Sequence, residues 1–311
     1  MPEQLRQLKV PTAVHRLVSG AGPAQGLTLD FFGVRVRLHL EAGDVADARF
    51  FFGAHGAAGD DCPPDEDCRH DVDVWLWGDG GFYRSLLAKD EARKVVVIAE
   101  RGETPRLAAD FRSWSGTPSP VPPFSTRTLA ARVMVARGSV VRAPDGATWC
   151  IVGPNYVGKT AATLALLERG FGLLSEHLLV LRRDDGRAER YLSPFGLRRQ
   201  TLAALEKAGR LRGLDQRATV SDVTGRVVLV QPDALFPGCG AEPAPVDGMV
   251  ALVPAEAAGL RGVGPAPALA CYPRGTGAEL SRRLPTRCLR VGVAPGHPPA
   301  SLASLLEEVV R

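Results

Sequence analysis

One eight-residue stretch limits the folds open to this chain more than any other feature. Gly153-Pro154-Asn155-Tyr156-Val157-Gly158-Lys159-Thr160 fits the phosphate-loop pattern G-x-x-x-x-G-K-[ST]. Ahead of it, Thr148-Trp149-Cys150-Ile151-Val152 is an apolar, β-favouring run. Behind it, Thr160 to Arg169 reads as a helix that Gly170 can end. Strand, glycine loop and helix in that order form an α/β unit, and this context gives the pattern its physical meaning. Successive backbone N–H groups and the helix N-terminus make a concave anion site. The loop Gly153, Pro154, Asn155, Tyr156, Val157 and Gly158, with Lys159, Thr160 and Ala161, is thus expected to bind a nucleoside triphosphate. Lys159 would reach the β- and γ-phosphates, and the Thr160 hydroxyl would hold Mg²⁺. The chain has five lysines and 33 arginines, so a Lys at this position stands out against its usage.

Composition removes several alternatives. The chain has 311 residues, enough for two domains with a large core. Its hydrophobic content of 45% and charged content of 23% are those of a soluble globular protein. A net charge of +4 without a Lys/Arg-rich run gives no footprint for nucleic acid. No apolar run approaches the roughly 20 residues a bilayer requires, and the N-terminal Met-Pro-Glu-Gln-Leu-Arg-Gln lacks the apolar centre of a signal peptide. A cytoplasmic protein without a membrane partner is the expectation. Cys62, Cys68 and His70 lie in an acidic loop at a spacing looser than zinc sites use, and ordinary thiols are expected there.

Thr117 to Phe124, T-P-S-P-V-P-P-F, is the clearest boundary. It separates an N-terminal domain of unassigned role, residues 1–116, from a nucleotide-binding domain, residues 125–311, with 117–124 as a stiff linker. In the first part, Leu27 to Phe31 and Val34 to Leu38 alternate around Gly33 and predict a hairpin. Ala48 to Phe52 reads as strand or helix end, Asp73 to Trp77 as a strand, Tyr83 to Ala92 as a helix and Lys94 to Ala99 as a strand. Trp75 and Trp77 share one face, which is taken as the core face. The domain is therefore a smaller mixed α/β or mostly β one. In the second part, strands are expected over Leu129–Arg142, Ala147–Val152, Phe171–Ser175, Leu178–Arg182, Val227–Val230, Met249–Val253 and Cys288–Val293. Helices are expected over Gln200–Ala208 and Ser301–Val310. Asp222-Val223-Thr224-Gly225 reads as a turn, since no guanine-reading N-K-x-D accompanies it.

A phosphate loop alone does not name a reaction. A transferase also needs a metal-side acid and a base or positioning group for the acceptor. Ser175-Glu176-His177, one strand downstream, supplies both types: Glu176 for Mg²⁺, and His177, with an ordinary pKa near 6.5, to accept a hydroxyl proton. Arg198 and Arg199 could clamp a γ-phosphate or an anionic substrate, though an arginine pair in an arginine-rich chain reads first as surface charge.

With these residues in view, the chain resembles the HPr kinase/phosphorylase-like P-loop kinases from about Val135 to Arg199. The likeness lies in the hairpin Gly138-Ser139-Val140-Val141-Arg142-Ala143-Pro144-Asp145-Gly146, the loop Gly153 to Thr160, Glu168-Arg169-Gly170-Phe171, Leu174-Ser175-Glu176-His177 and Ser193-Pro194-Phe195. In that family the second strand ends in an Asp-Asp pair that, as the resemblance implies, binds metal and activates a serine hydroxyl. Here Glu176-His177 stands in that place, and Arg137 stands where the family often has a His. The loop residues Pro154 to Val157 are also bulkier than the family's small ones. The resemblance implies an α/β P-loop kinase domain, ATP and Mg²⁺ as cofactors, and a Ser-like hydroxyl of a peptide, protein or small molecule as acceptor. Lys159, Glu176 and His177 would be its catalytic residues, Thr160 and Glu176 its metal ligands, and Arg137, Arg198 and Arg199 its substrate residues. A homo-oligomer is compatible with it, and the Arg-, Ala-, Gly- and Pro-rich composition suggests a GC-rich bacterial source. The altered Asp-Asp position keeps two rivals open: a catalytically degenerate nucleotide-binding scaffold or regulatory module, and an NTP hydrolase.

Overall fold

A computed structural model describes residues 24–56, 70–78, 94–101, 103, 105–107, 126–221, 224–269, 271–272, 276–294 and 304. The chain divides into two compact units, Met1–Arg132 and Val133–Arg311. The expected linker, the expected helices over 83–92 and 301–310, and both Cys62 and Cys68 lie outside the described residues, Ser304 excepted. Among the described residues no helix is long and apolar enough to cross a membrane.

In the first unit, strands β1 (Ala24–Phe31), β2 (Val34–Glu41), β3 (Val72–Gly78), β4 (Lys94–Glu100) and β5 (Arg106–Leu107) form one sheet in chain order. The β1–β2 hairpin turns through Phe32 and Gly33, both at positive φ, and the Asp30 carboxylate accepts the Gly33 N–H at 2.8 Å. Alternation decides the faces. Val34, Val36, Leu38 and Leu40 are buried, while Arg35, Arg37 and His39 point away. Ala48 to Phe52 proves to be the end of a helix, α1 (Val45–Phe52), with Phe50, Phe51 and Phe52 buried. The tryptophans correct the sequence reading. On β3 it is Val72, Val74 and Leu76 that enter the core, so Trp75 and Trp77 occupy the opposite face, half-buried. Trp75 stacks there on the His39 ring at 4.7 Å, and His39 Nε2 lies 2.7 Å from Asp73 Oδ1. A short helix, α2 (Arg127–Arg132), closes the unit, where a strand was expected from Leu129 onward.

The second unit is a mixed α/β assembly. Its main sheet has the order β15-β17-β14-β8-β7-β9. These strands are β7 (Ser139–Arg142), β8 (Thr148–Val152), β9 (Gly172–Ser175), β14 (Gly248–Pro254), β15 (Gly259–Pro265) and β17 (Arg287–Val293). Strands β8, β14 and β17 run parallel. One sheet face presents Val141, Ile151, Val250 and Leu252 to α3 (Lys159–Leu167) and α4 (Arg199–Lys207). Phe195, Leu197, Val228 and Val230 share that core. They come from a small sheet of β11 (Phe195–Arg198), β13 (Gly225–Val230) and β12 (Gln216–Ser221). The other face packs Val140, Cys150, Val152, Met249 and Ala251 against a second small sheet, β10-β6-β16. It comprises β6 (Val133–Arg137), β10 (Leu178–Arg182) and β16 (Cys271–Tyr272), with α6 (Gly277–Arg283) contributing Leu280; α5 (Pro232–Leu235) follows β13. Residues of one parity along β7 and β8 thus serve each layer.

Candidate functional site

Topology brings the site together at one edge of the main sheet. Strand β7 pairs antiparallel with both β8 and β9, so β8 and β9 point the same way. The loop after β8 and the Glu176-His177 corner after β9 therefore open on the same edge as the start of β7, Ser139. At this edge the chain also passes between sheets. The Arg137–Ser139 segment links β6 to β7, and 176–177 link β9 to β10. The two crossings are tied by the Gly138 N–H donating to the His177 carbonyl at 3.2 Å. His177 takes φ +68° to make its corner, a backbone conformation that is uncommon outside glycine and worth a functional question.

The loop itself depends on glycine at both ends. Gly153 sits at φ +149°, and a Cβ there would lie 2.6 Å from the Leu252 carbonyl oxygen on β14. Gly158 adopts φ +109° immediately before α3. No side chain caps α3, so its first N–H groups face the loop. Lys159 Nζ donates to the carbonyls of Gly153 at 2.9 Å and Pro154 at 2.8 Å, which places the ammonium inside the arch. Burial lowers the Lys159 pKa; Glu176 opposes that shift and Arg137 adds to it. Pro154, Asn155 and Tyr156 are exposed, and Tyr156 holds φ +66° at the loop tip. Val157 packs against the core, while Gly158, Thr160 and Ala161 are half-buried. Arg137 reaches across from β6 and donates to Asn155 Oδ1 at 2.8 Å.

Glu176 is the hub. It is fully buried, and each carboxylate oxygen accepts a hydroxyl: Oε1 from Thr160 and Oε2 from Ser139, both at 2.6 Å. Ser193 Oγ donates to the Glu176 carbonyl at 3.2 Å, which ties the approach to β11 to the same corner. His177 Nδ1 stands 3.7 Å from Glu176 Oε1, and its Nε2 is buried with no hydrogen-bond partner among the described residues. Burial lowers the His177 pKa, against the pull of Glu176 and with Arg198 and Lys159 reinforcing it. A desolvated imidazole with a lowered pKa is neutral at pH 7 and carries a ring nitrogen that can accept a proton. Two residues that sequence reasoning did not assign, Ser139 and Ser193, thus hold the acid in place. Their signal in the sequence was that both stand in segments that carry the resemblance, Gly138 to Gly146 and Ser193 to Phe195.

The arginine pair separates. Arg199 is exposed and opens α4, whereas Arg198 is half-buried beside Tyr156, Glu176 and His177. The surface-charge reading therefore suits Arg199 and fails for Arg198, because β11 enters the core through Phe195 and Leu197 and carries Arg198 in with it. Among the described residues no group of three His, Cys, Asp or Glu side chains could hold a metal by itself. The Glu176 carboxylate and the Thr160 hydroxyl are both hard oxygen donors, 2.6 Å apart. This set suits Mg²⁺, which uses one or two carboxylates and completes its shell with water and phosphate oxygens.

No family model matches the chain, and no curated protein does. Among solved structures it is similar to the structure of the HPr(Ser) kinase/phosphatase from Coxiella burnetii, at 12% sequence identity and a TM-score of 0.31, over 56% of this chain and 95% of that one.

Proposed function

We propose that the chain is an ATP-dependent kinase of the HPr-kinase-like class. It transfers the γ-phosphoryl group to a hydroxyl of a peptide, protein or small molecule. The observation that carries this reading is the 2.6 Å contact between Thr160 and Glu176 beside Lys159. A hydroxyl at the start of a helix, a buried acid and a loop-held ammonium are the parts that phosphoryl transfer requires. Transfer is mostly positioning and charge neutralisation, so a small constellation suffices.

In this reading the loop N–H groups and the start of α3 hold the α- and β-phosphates, and Lys159 exchanges its two carbonyl partners for phosphate oxygens. Thr160 and Glu176 would hold Mg²⁺, which would supply positive charge against the phosphates. His177 accepts the acceptor's proton at a ring nitrogen. The acceptor oxygen forms a bond to the γ-phosphorus as the bond to the β-bridging oxygen breaks, and ADP leaves with that electron pair.

The test is calorimetric titration of MgATP and MgADP into wild type and Lys159→Ala, followed by an acceptor screen with labelled ATP. Binding should weaken at least tenfold in the variant while its far-UV circular dichroism stays unchanged. Wild-type-like turnover by Lys159→Ala would sink the assignment. One observation favours a nucleotide-binding scaffold instead: both Glu176 oxygens are already occupied and its neighbour is an imidazole, not a second acid. Full biological activity in a Glu176→Ala,His177→Ala double variant would select that rival.

A further inference from the structure

We propose that Arg198 is the residue that reads the γ-phosphate, so that the site distinguishes a nucleoside triphosphate from a diphosphate through this one guanidinium. The proposal rests on the reading that Gly153 to Thr160 hold a nucleotide. It adds an element from a different sheet, β11, that the phosphate-loop pattern does not contain.

Three observations point the same way. First, the guanidinium has a built seat. Phe195 and Leu197 point into the core, both fully buried, so Gly196 and Arg198 share the other face of β11. The Arg198 side chain folds back over Gly196, where a Cβ would lie 3.3 Å from Nη1 and 3.6 Å from Cζ and Nη2. The guanidinium therefore lies against the Gly196 backbone, close to where a side chain there would begin. Second, the charge is unmatched. Among the described residues the guanidinium makes one long hydrogen bond, from Nη1 to the Gly196 carbonyl at 3.4 Å, and no ion pair; its Nε is buried without a partner. Glu176 acts on it through space but forms no ion pair with it among the described residues, its two hydrogen bonds going to Ser139 and Thr160. Third, the position is on the transfer side. Arg198 neighbours Tyr156 at the loop tip and the Glu176-His177 corner. The loop amides hold the α- and β-phosphates and Lys159 reaches the β- and γ-phosphates, so the γ-phosphate is the group that lies toward the Glu176-His177 corner and Arg198.

A half-buried guanidinium without a partner costs stability unless something supplies the missing charge. A phosphate supplies it well, because the planar fork can donate two parallel N–H groups to two of its oxygens. Arg198 is thus an in-chain counterpart of the arginine that neutralises transition-state charge in other phosphoryl-transfer sites.

The test is titration of MgATP and MgADP into full-length wild type, Arg198→Gln, Arg198→Lys, Lys159→Ala and the exposed neighbour Arg199→Ala. Arg198→Gln keeps much of the packing stem and guards against misfolding, with circular dichroism as the check. We expect Arg198→Gln to weaken MgATP tenfold or more while leaving MgADP within about twofold. Arg198→Lys should recover only part of the loss, since a point charge cannot donate as a fork. Arg199→Ala should match wild type. Equal losses for both nucleotides, or no loss for either, would overturn the role of Arg198 while Lys159→Ala still reports on the loop. Loss of acceptor affinity at unchanged MgATP and MgADP binding would also overturn it and reassign Arg198 to the acceptor. If wild type binds neither nucleotide, the loop reading and this inference fall together.

Discussion

Glu176 and Ser139 show how a buried charge is kept in place at the scale of single residues. The acid is fully buried and takes no lysine or arginine within salt-bridge distance among the described residues; two hydroxyl donors satisfy it instead. Hydrogen bonds to a charged acceptor contribute roughly 1.5–3 kcal/mol each, and removing one donor leaves the buried oxygen bare. A double-mutant cycle between Ser139→Ala and Glu176→Gln, read by urea unfolding, should give a coupling energy of about 1.5–3 kcal/mol. A value near zero would mean that the pair is incidental. Gly153 makes the complementary case for backbone. An alanine there would need both φ near +149° and room where the Leu252 carbonyl stands 2.6 Å away. Gly153→Ala should therefore cost about 3 kcal/mol of stability and weaken MgATP binding, while Gly43→Ala, in open space at ordinary φ, should do neither.

At the scale of elements, the helix that the sequence did not reveal is the instructive one. Arg127 to Arg132 forms α2 because Glu100, at the end of β4, caps it from a distance. Its carboxylate accepts the Arg127 N–H at 2.9 Å, the Thr128 N–H at 2.6 Å and the Thr128 hydroxyl at 2.7 Å, with the Arg106 guanidinium at 3.0 Å. Burial alone would raise the Glu100 pKa, but these donors outweigh it and hold the carboxyl below its ordinary value. The sign follows from linkage: with the folded pKa below the unfolded one, near 4.3, the stabilisation is complete above that pH and is lost as pH falls through the folded value. Glu100→Gln should thus destabilise the first unit by about 2 kcal/mol at pH 7, with the difference from wild type shrinking markedly by pH 3. Hydrogen exchange at Val97 and Ile98 would read it, and a pH-independent difference would refute the capping role. Local pattern reveals strands that alternate or run apolar between turns, such as β2, β8, β14 and β17. It cannot reveal a helix capped by a residue 27 positions upstream. Nor could it find β11, four residues with an interior glycine, or β15, whose three glycines and register shift erase any period. The site divides the same way. Gly153 to Thr160 and Glu176 are legible because their chemistry is contiguous, whereas Ser139 and Ser193 join it only through the tertiary fold, and Arg198 is told apart from Arg199 only by its burial.

At the scale of the whole molecule, every residue of the candidate site lies between Arg137 and Arg198, inside the unit that begins at Val133. That unit carries two cores of its own, one on each face of the main sheet, and all their buried members fall between Met134 and Val291. The first unit likewise closes on its own phenylalanines and aliphatic strand residues. The loop, acid and base hang from one doubly covered sheet, and the proposed clamp comes from β11, which shares a core with that sheet inside the same unit. A fragment spanning residues 133–311, the whole second unit, should therefore fold and bind MgATP within about threefold of the full chain. Circular dichroism shows whether the fragment is folded, and calorimetry then gives the affinity. A folded fragment with tenfold weaker binding would mean that the first unit completes the nucleotide site. Retained binding would confine the first unit's contribution to the acceptor side of the reaction or to regulation. The two cases separate on one further measurement, the rates of ATP turnover and of acceptor phosphorylation by the fragment and by the full chain.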